Sequence, residues 1–161
     1  MKRKKWLWVL LAAVAVLCVV ILRKPVYRSA PDLLIKSGEE EMTVPGSAIS
    51  WEYKQSGRWV SYESSLKSVE PRGDYPEFES ESETVVLEFP EEPDQLWVSR
   101  CWDPRAEKDE DGLEVSWRPD GNELELKPGN CLYEIAANWR TDGRKWGGNA
   151  VYYFRATGPV K

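Results

Sequence analysis

Residues 126–156 read LKPGNCLYEIAANWRTDGRKWGGNAVYYFRA, two extended arms joined by a Gly-rich loop. In the first arm Cys131, Tyr133, Ile135, Ala137 and Trp139 fall on one face, and Leu132, Glu134, Ala136 and Asn138 on the other. This is the period-two alternation of a β-strand. The second arm alternates Tyr152 and Phe154 with Val151, Tyr153 and Arg155. Apolar and aromatic residues on both faces predict central strands with one face buried and the other partly covered. The stretch therefore reads as a long antiparallel hairpin onto which the other strands are collected.

Upstream, the same alternation recurs in short pieces. Ile49, Trp51 and Tyr53 alternate with Ser50, Glu52 and Lys54; Gln55-Ser56-Gly57 makes a turn, and Arg58 to Tyr62 returns as the partner strand. Trp51 and Trp59 of this hairpin both read as core. Leu33 to Lys36 is a first strand ended by Ser37-Gly38, followed by Glu39, Glu40 and Glu41, a charge run that reads as a solvated face. Residues 63–82 break the pattern, and a loop of that length in a small domain is either mobile or a binding element, with Tyr75 and Phe78 as its anchors. Thr84 to Phe89, Gln95 to Trp102, Leu113 to Trp117 and Leu124 to Leu126 supply further strands. Eight or nine short strands without a helix between them predict an all-β, two-sheet sandwich.

The N-terminus is of a different kind. Residues 1–5 carry Lys2, Arg3, Lys4 and Lys5; Trp6 to Leu22 is an uncharged apolar run, and Arg23, Lys24 and Pro25 follow. Seventeen residues at 1.5 Å each span roughly 25 Å, the short end of what crosses a bilayer. Trp6 and Trp8 suit the interface, and the stronger basic cluster before the run places the N-terminus in the cytoplasm and the rest outside. The expected organisation is a cytoplasmic basic tail (1–5), a transmembrane signal anchor (6–22), a linker (23–31) and an extracytoplasmic domain (32–161). A cleaved signal peptide at Ala13-Val14-Ala15 and a lipoprotein signal at Cys18 are the alternatives. Each of the three leads outside the cytoplasm.

In that compartment Cys101 and Cys131 are expected to form a structural disulfide, closing about 31 residues and contributing about 3.7 kcal/mol in the chain-entropy model. Two unpaired buried thiols are the alternative. Cys18, inside the apolar run, reads as a small hydrophobe.

Charge and inventory bound the function. The chain has 22 basic and 27 acidic residues, and seven of the basic ones and none of the acidic lie in the first 28 positions. The remainder therefore carries 15 basic against 27 acidic residues, a net of −12. A surface of that sign argues against nucleic acid as a partner. The sequence has no His, which removes Ser-His-Asp and Cys-His catalysis and most zinc sites, and no GxSxG or P-loop pattern occurs. These gaps argue for a non-enzyme without a cofactor. The acidic stretch with Glu107, Asp109, Asp111 and Gly112 resembles a calcium loop, but the twelfth position is Arg118, where a bidentate carboxylate is needed. No metal is expected there.

Leu126-Lys127-Pro128-Gly129 followed by Tyr133 resembles the tyrosine corner that enters the penultimate strand of immunoglobulin-like and fibronectin type III domains. Tyr133 stands one place further from the glycine than in the usual fibronectin pattern, so the subclass stays open. More broadly, SWEYK, LKPG, YEIAANW and AVYYF within residues 33–156 resemble extracytoplasmic modules of membrane-anchored proteins from Gram-positive bacteria. That resemblance implies an immunoglobulin-like sandwich outside the membrane, and no site. The expected function is a binding or interaction module with a protein or cell-wall glycan partner. An accessory subunit of a membrane sensor or transporter, acting through its anchor, is the second expectation, and a cell-surface carbohydrate-active enzyme using a pair of carboxylates as acid and base is the third. The candidate binding loop is the 140–148 turn, whose Arg144, Lys145 and Trp146 set an aromatic ring beside cations in an acidic domain. A Trp146 folded back over the core edge is the other reading of that loop.

Overall fold

The long hairpin forms as expected: β10 (Gly129–Trp139) and β11 (Trp146–Gly158) pair antiparallel from Gly129 opposite Gly158 to Trp139 opposite Gly148. The computed structural model describes residues 26–65, 73–102 and 113–159, of which residues 113–116 as backbone only. The expected basic tail, anchor and start of the linker, and the acidic stretch around Asp109, lie outside the described residues. The described residues contain no helix, and so none long and apolar enough to cross a membrane.

The remaining strands are β1 (Leu33–Ser37), β2 (Glu40–Val44), β3 (Ser47–Gln55), β4 (Arg58–Glu63), β5 (Glu77–Glu79), β6 (Thr84–Glu88), β7 (Gln95–Trp102), β8 (Leu113–Trp117) and β9 (Glu123–Glu125). They form two sheets, β2-β1-β6-β9 and β4-β3-β11-β10-β7-β8. The chain changes sheet between β2 and β3, β5 and β6, β6 and β7, β8 and β9, and β9 and β10. Two elements escape the sequence reading. The glutamates at 40 and 41 belong to β2, pairing with β1 while their side chains stay exposed. The irregular stretch contains β5, which runs parallel to the end of β11 and buries Phe78.

The core lies between the sheets. Leu33, Ile35, Val85, Leu87 and Leu124 come from the small sheet, and Trp51, Ile135, Trp139, Tyr152 and Phe154 from the large one. Its densest part is aromatic. Trp51 and Trp146 stack with centroids 5.5 Å apart, Trp139 meets Trp51 edge-on at 5.7 Å, and Tyr27 meets Trp146 edge-on at 4.7 Å. Gly148 makes this possible. It pairs with both Trp51 and Trp139, has φ +145°, and a Cβ there would drive into the Ser50 carbonyl oxygen and the Trp51 ring.

Two expectations about the core are corrected. Trp51 is buried at 1 % exposure, but Trp59 is 47 % exposed. Ser56 and Gly57 both adopt positive φ, as a two-residue hairpin turn requires, and the resulting register sets Trp59 opposite Lys54 on the outward face. The expected Cys101–Cys131 disulfide is not formed. Cys101 pairs directly with Tyr133 across β7 and β10, leaving Cys131 diagonal to it on the neighbouring strand. Diagonal neighbours lie about 7–8 Å apart, too far for a bridge without backbone movement. Both cysteines are buried core side chains.

Two measurements check these points. Gly148→Ala should destabilise the domain by about 3 kcal/mol or more, since both the backbone conformation and the missing side-chain volume are violated; urea unfolding reads the difference. Alkylation of the denatured chain without reductant should label both Cys101 and Cys131, and mass spectrometry that finds them protected would restore the bridge.

Candidate functional site

The alternation that turns Trp51, Gly148 and Trp139 inward turns their neighbours outward. Ser50 on β3, Asn149 on β11 and Asn138 on β10 stand in one cross-strand row, with Glu63 of β4 paired to Ser50 and Gln95 of β7 paired to Asn138 at its ends. The row is hydrogen-bonded in one direction: the Asn138 amide donates to Asn149 Oδ1 at 2.8 Å, and the Asn149 amide donates to Ser50 Oγ at 3.0 Å. Amides are depleted in strands, so two of them paired mid-sheet on an exposed face call for a role.

This row is the floor of a cleft of about 720 Å³. Glu52, Ser61 and Glu63 of the β3–β4 hairpin form one wall; the turn after β10, with Arg140 and Asp142, forms the other. Trp51, Trp139 and Tyr62 also line it, but register and burial turn Trp51 and Trp139 to the other side of the sheet, so they contribute backbone. The side chains facing the cleft are thus amides, hydroxyls and charged groups. Among the described residues Glu52, Glu63 and Asp142 form no ion pair.

The expected binding loop is built differently. Trp146 is 1 % exposed and stacked on Trp51, so it presents no ring to a ligand; pairing with Tyr53 at the start of β11 faces it inward. Arg144 is held rather than free. Its guanidinium contacts Glu91 Oε1 at 2.7 Å and Asp94 Oδ2, donates to the carbonyls of Glu92 and Arg140 at 3.2 Å each, and lies 5.7 Å from the Trp146 centroid. It clamps the β6–β7 turn against the β10–β11 turn. Of the expected trio only Lys145 is exposed, and its carbonyl accepts the Lys54 N–H at 2.6 Å. Cys101 and Cys131 are remote from the cleft in register, beside Tyr133 at the far end of β10.

Burial pushes the Asp94 carboxyl up, but the Arg140 N–H and the Arg144 guanidinium outweigh it and hold the pKa below the ordinary value. The same carboxylates, against the opposing effect of burial, hold Arg144 above its usual value.

A second polar cluster lies on the same outward face, further along β10. Glu134 is buried, accepts from Ser99 Oγ and lies 3.8 Å from the Arg100 guanidinium. The Tyr153 hydroxyl is buried next to it, and burial, followed by the charge of Glu134, raises its pKa. Tyr75 packs over Tyr153 with centroids 6.0 Å apart, so this end of the face is covered while the Asn138–Asn149 end is open.

Among the described residues no group of three His, Cys, Asp or Glu side chains converges as a metal site. No protein-family model, curated protein or solved structure matches the chain.

The cleft residues were accessible to sequence reasoning through one signal. Asn138 and Asn149 flank the 140–148 turn, one in each arm of the central hairpin, and the register of that hairpin pairs them. Ser50 and Glu63 join them only through the β3–β11 register, which the sequence does not display.

The Arg144 clamp predicts a pH dependence. Asp94 has a depressed folded pKa, so its contribution is complete above the unfolded value of about 3.9 and is lost as pH falls through the lower folded value. Arg144→Ala should cost roughly 1–2 kcal/mol at neutral pH, with the partial exposure of Asp94 already discounted. Thermal unfolding of wild type and variant should differ at pH 5–7 and converge in strong acid.

Proposed function

We propose that this chain is a single-pass membrane protein whose immunoglobulin-like sandwich stands outside the cytoplasm as a binding module, with the Asn138–Asn149 cleft as its site. The observation that carries the reading is the open polar row on the outward face: a sheet face needed only for packing would not hold two asparagines, and carboxylates without ion pairs among the described residues, around a cleft of that size. Strand order supports the immunoglobulin-like part. β1, β6 and β9 take the places of strands A, B and E, and β7, β8, β10 and β11 those of C, C′, F and G. β2 to β5 are then an insertion between A and B, and its β3–β4 hairpin builds one wall of the cleft. Tyr133 supports it too, because its hydroxyl accepts the Lys127 N–H at 2.6 Å, six residues upstream, the contact that defines a tyrosine corner.

The membrane part rests on the apolar run at residues 6–22 and its basic flanks. The first described residues fit it. Tyr27 packs on Trp146 and accepts the Trp51 indole N–H through its carbonyl at 3.1 Å, so the chain joins the domain within a few residues of the run. An anchored domain with so short a tether is held close to the bilayer.

Crosslinking from native membranes, with the natural anchor and with an unrelated one, tests the reading. Both forms should capture the same partner, and Asn149→Ala should lose it. Capture only through the natural anchor, indifferent to Asn149, would instead make the chain an accessory subunit acting inside the membrane.

A further inference from the structure

The geometry points to a short stretch of neutral or amine-bearing glycan as the ligand of this cleft, one end held by the Ser50–Asn149–Asn138 row and the chain running past Ser61 along the β3–β4 hairpin to stack a ring on Trp59. This inference rests on the binding-module reading and adds the chemistry of the ligand.

Three observations carry it. The first is the floor. Adjacent strands lie about 4.8 Å apart, so the row from Ser50 to Asn138 spans about 10 Å, the length of a disaccharide. Its internal hydrogen bonds use one donor of each amide, the Asn149 carbonyl oxygen and the Ser50 oxygen as acceptors. Asn138 Oδ1, the second Asn149 N–H and the Ser50 hydroxyl proton are left for a ligand; the second Asn138 N–H has only the long 3.5 Å contact to the Gly148 carbonyl. Donors and acceptors alternating across a flat, strand-held surface match vicinal hydroxyls, each of which both donates and accepts.

The second is charge. Glu52, Glu63 and Asp142 surround the floor without ion-pair partners among the described residues. Carboxylates accept strongly from hydroxyl and ammonium groups, and inside the cleft three of them stand against Arg140, with Lys54 outside it at Trp59, so the net negative charge disfavours a sulfated or uronic glycan. An apolar ligand is disfavoured too, because it would strand these groups without water.

The third is the exposed indole. Trp59 stands on the outward face of β4 just outside the cleft lining, two residues before Ser61 and four before Glu63, the partner of Ser50, so about 13 Å of strand separates it from the row; it is 47 % exposed. The Lys54 ammonium stands over one face of the ring, 5.7 Å from its centroid, so a sugar would take the exposed remainder. The electron-rich indole face attracts the partly positive C–H groups of a pyranose. A large aromatic left in water beside a polar cleft is otherwise a liability.

The test is titration calorimetry on the full chain in a detergent without a sugar headgroup. The probes are chitotetraose, cellotetraose, de-N-acetylated chitotetraose and, as the anionic comparison, a heparin-derived tetrasaccharide. At least one of the first three should bind and the heparin fragment should not. Trp59→Ala and Asn149→Ala should each weaken binding about tenfold with thermal unfolding unchanged, and Trp59→Phe should recover most of the loss. Binding to none of the neutral or amine-bearing probes, preference for the heparin fragment, or binding indifferent to both variants overturns the assignment. If no glycan binds while the anchor-swapped chain still captures a protein through Asn149, the ligand class is wrong and the binding-module reading stands; if both fail, both fall.

Discussion

The packing of three indoles around Gly148 is the constraint on which the rest of this domain depends. Trp51, Trp139 and Trp146 come from three adjacent strands, and they meet only because the residue between them has no side chain. Each buried aromatic removes a large apolar area from water, and edge-to-face contacts add to that. The polar ends of two of these rings are satisfied by chain that crosses the end of the sandwich: Trp51 donates to the Tyr27 carbonyl and Trp139 to the Glu91 carbonyl at 2.9 Å. The cluster thus fixes the sheet, the approach of the N-terminal segment and the β6–β7 turn together.

The cleft inherits its geometry from that cluster. In a strand, a residue's neighbours face the opposite side, so fixing the inward row of Trp51, Gly148 and Trp139 leaves Ser50, Asn149 and Asn138 no choice but the outward row. The polar groups are carried by strands locked from behind, which holds them to tighter positions than loop residues. The loop that joins β10 and β11 has a supporting part. Its Arg144 is consumed by Glu91 and Asp94, and its Trp146 by the core, so a turn rich in binding-type residues works as a clamp.

The outward face of the large sheet is divided along its length. Around Leu132, Glu134 and Val151 it is buried, with Tyr75 packed over Tyr153; around Asn138 and Asn149 it is open. β5 and the β3–β4 hairpin occupy successive parts of the same edge of β11. The stretch between β2 and β6 therefore covers one end of the face and builds a wall of the cleft at the other.

Local pattern determined much of this. Period-two alternation in residues 131–139 and 151–155 was enough to define the central hairpin, because the strand repeat is a property of the backbone and each residue declares its face. Most strand positions followed from the same kind of signal, and the contact of Tyr133 with the segment at Lys127 was expected from a resemblance; the pairing of Asn138 with Asn149 was not. What depended on contacts distant in sequence was decided by the tertiary structure alone. Trp59 and Trp146 are both tryptophans beside cations near a turn, yet the β3–β4 register turns one to water and the β3–β11 pairing turns the other into the core. Cys101 and Cys131 sit in adjacent strands as two buried residues should, but a diagonal offset separates them. Inter-strand register is set by packing across the whole sheet, and a one-residue difference moves a side chain to the opposite face; no single stretch of sequence carries that information.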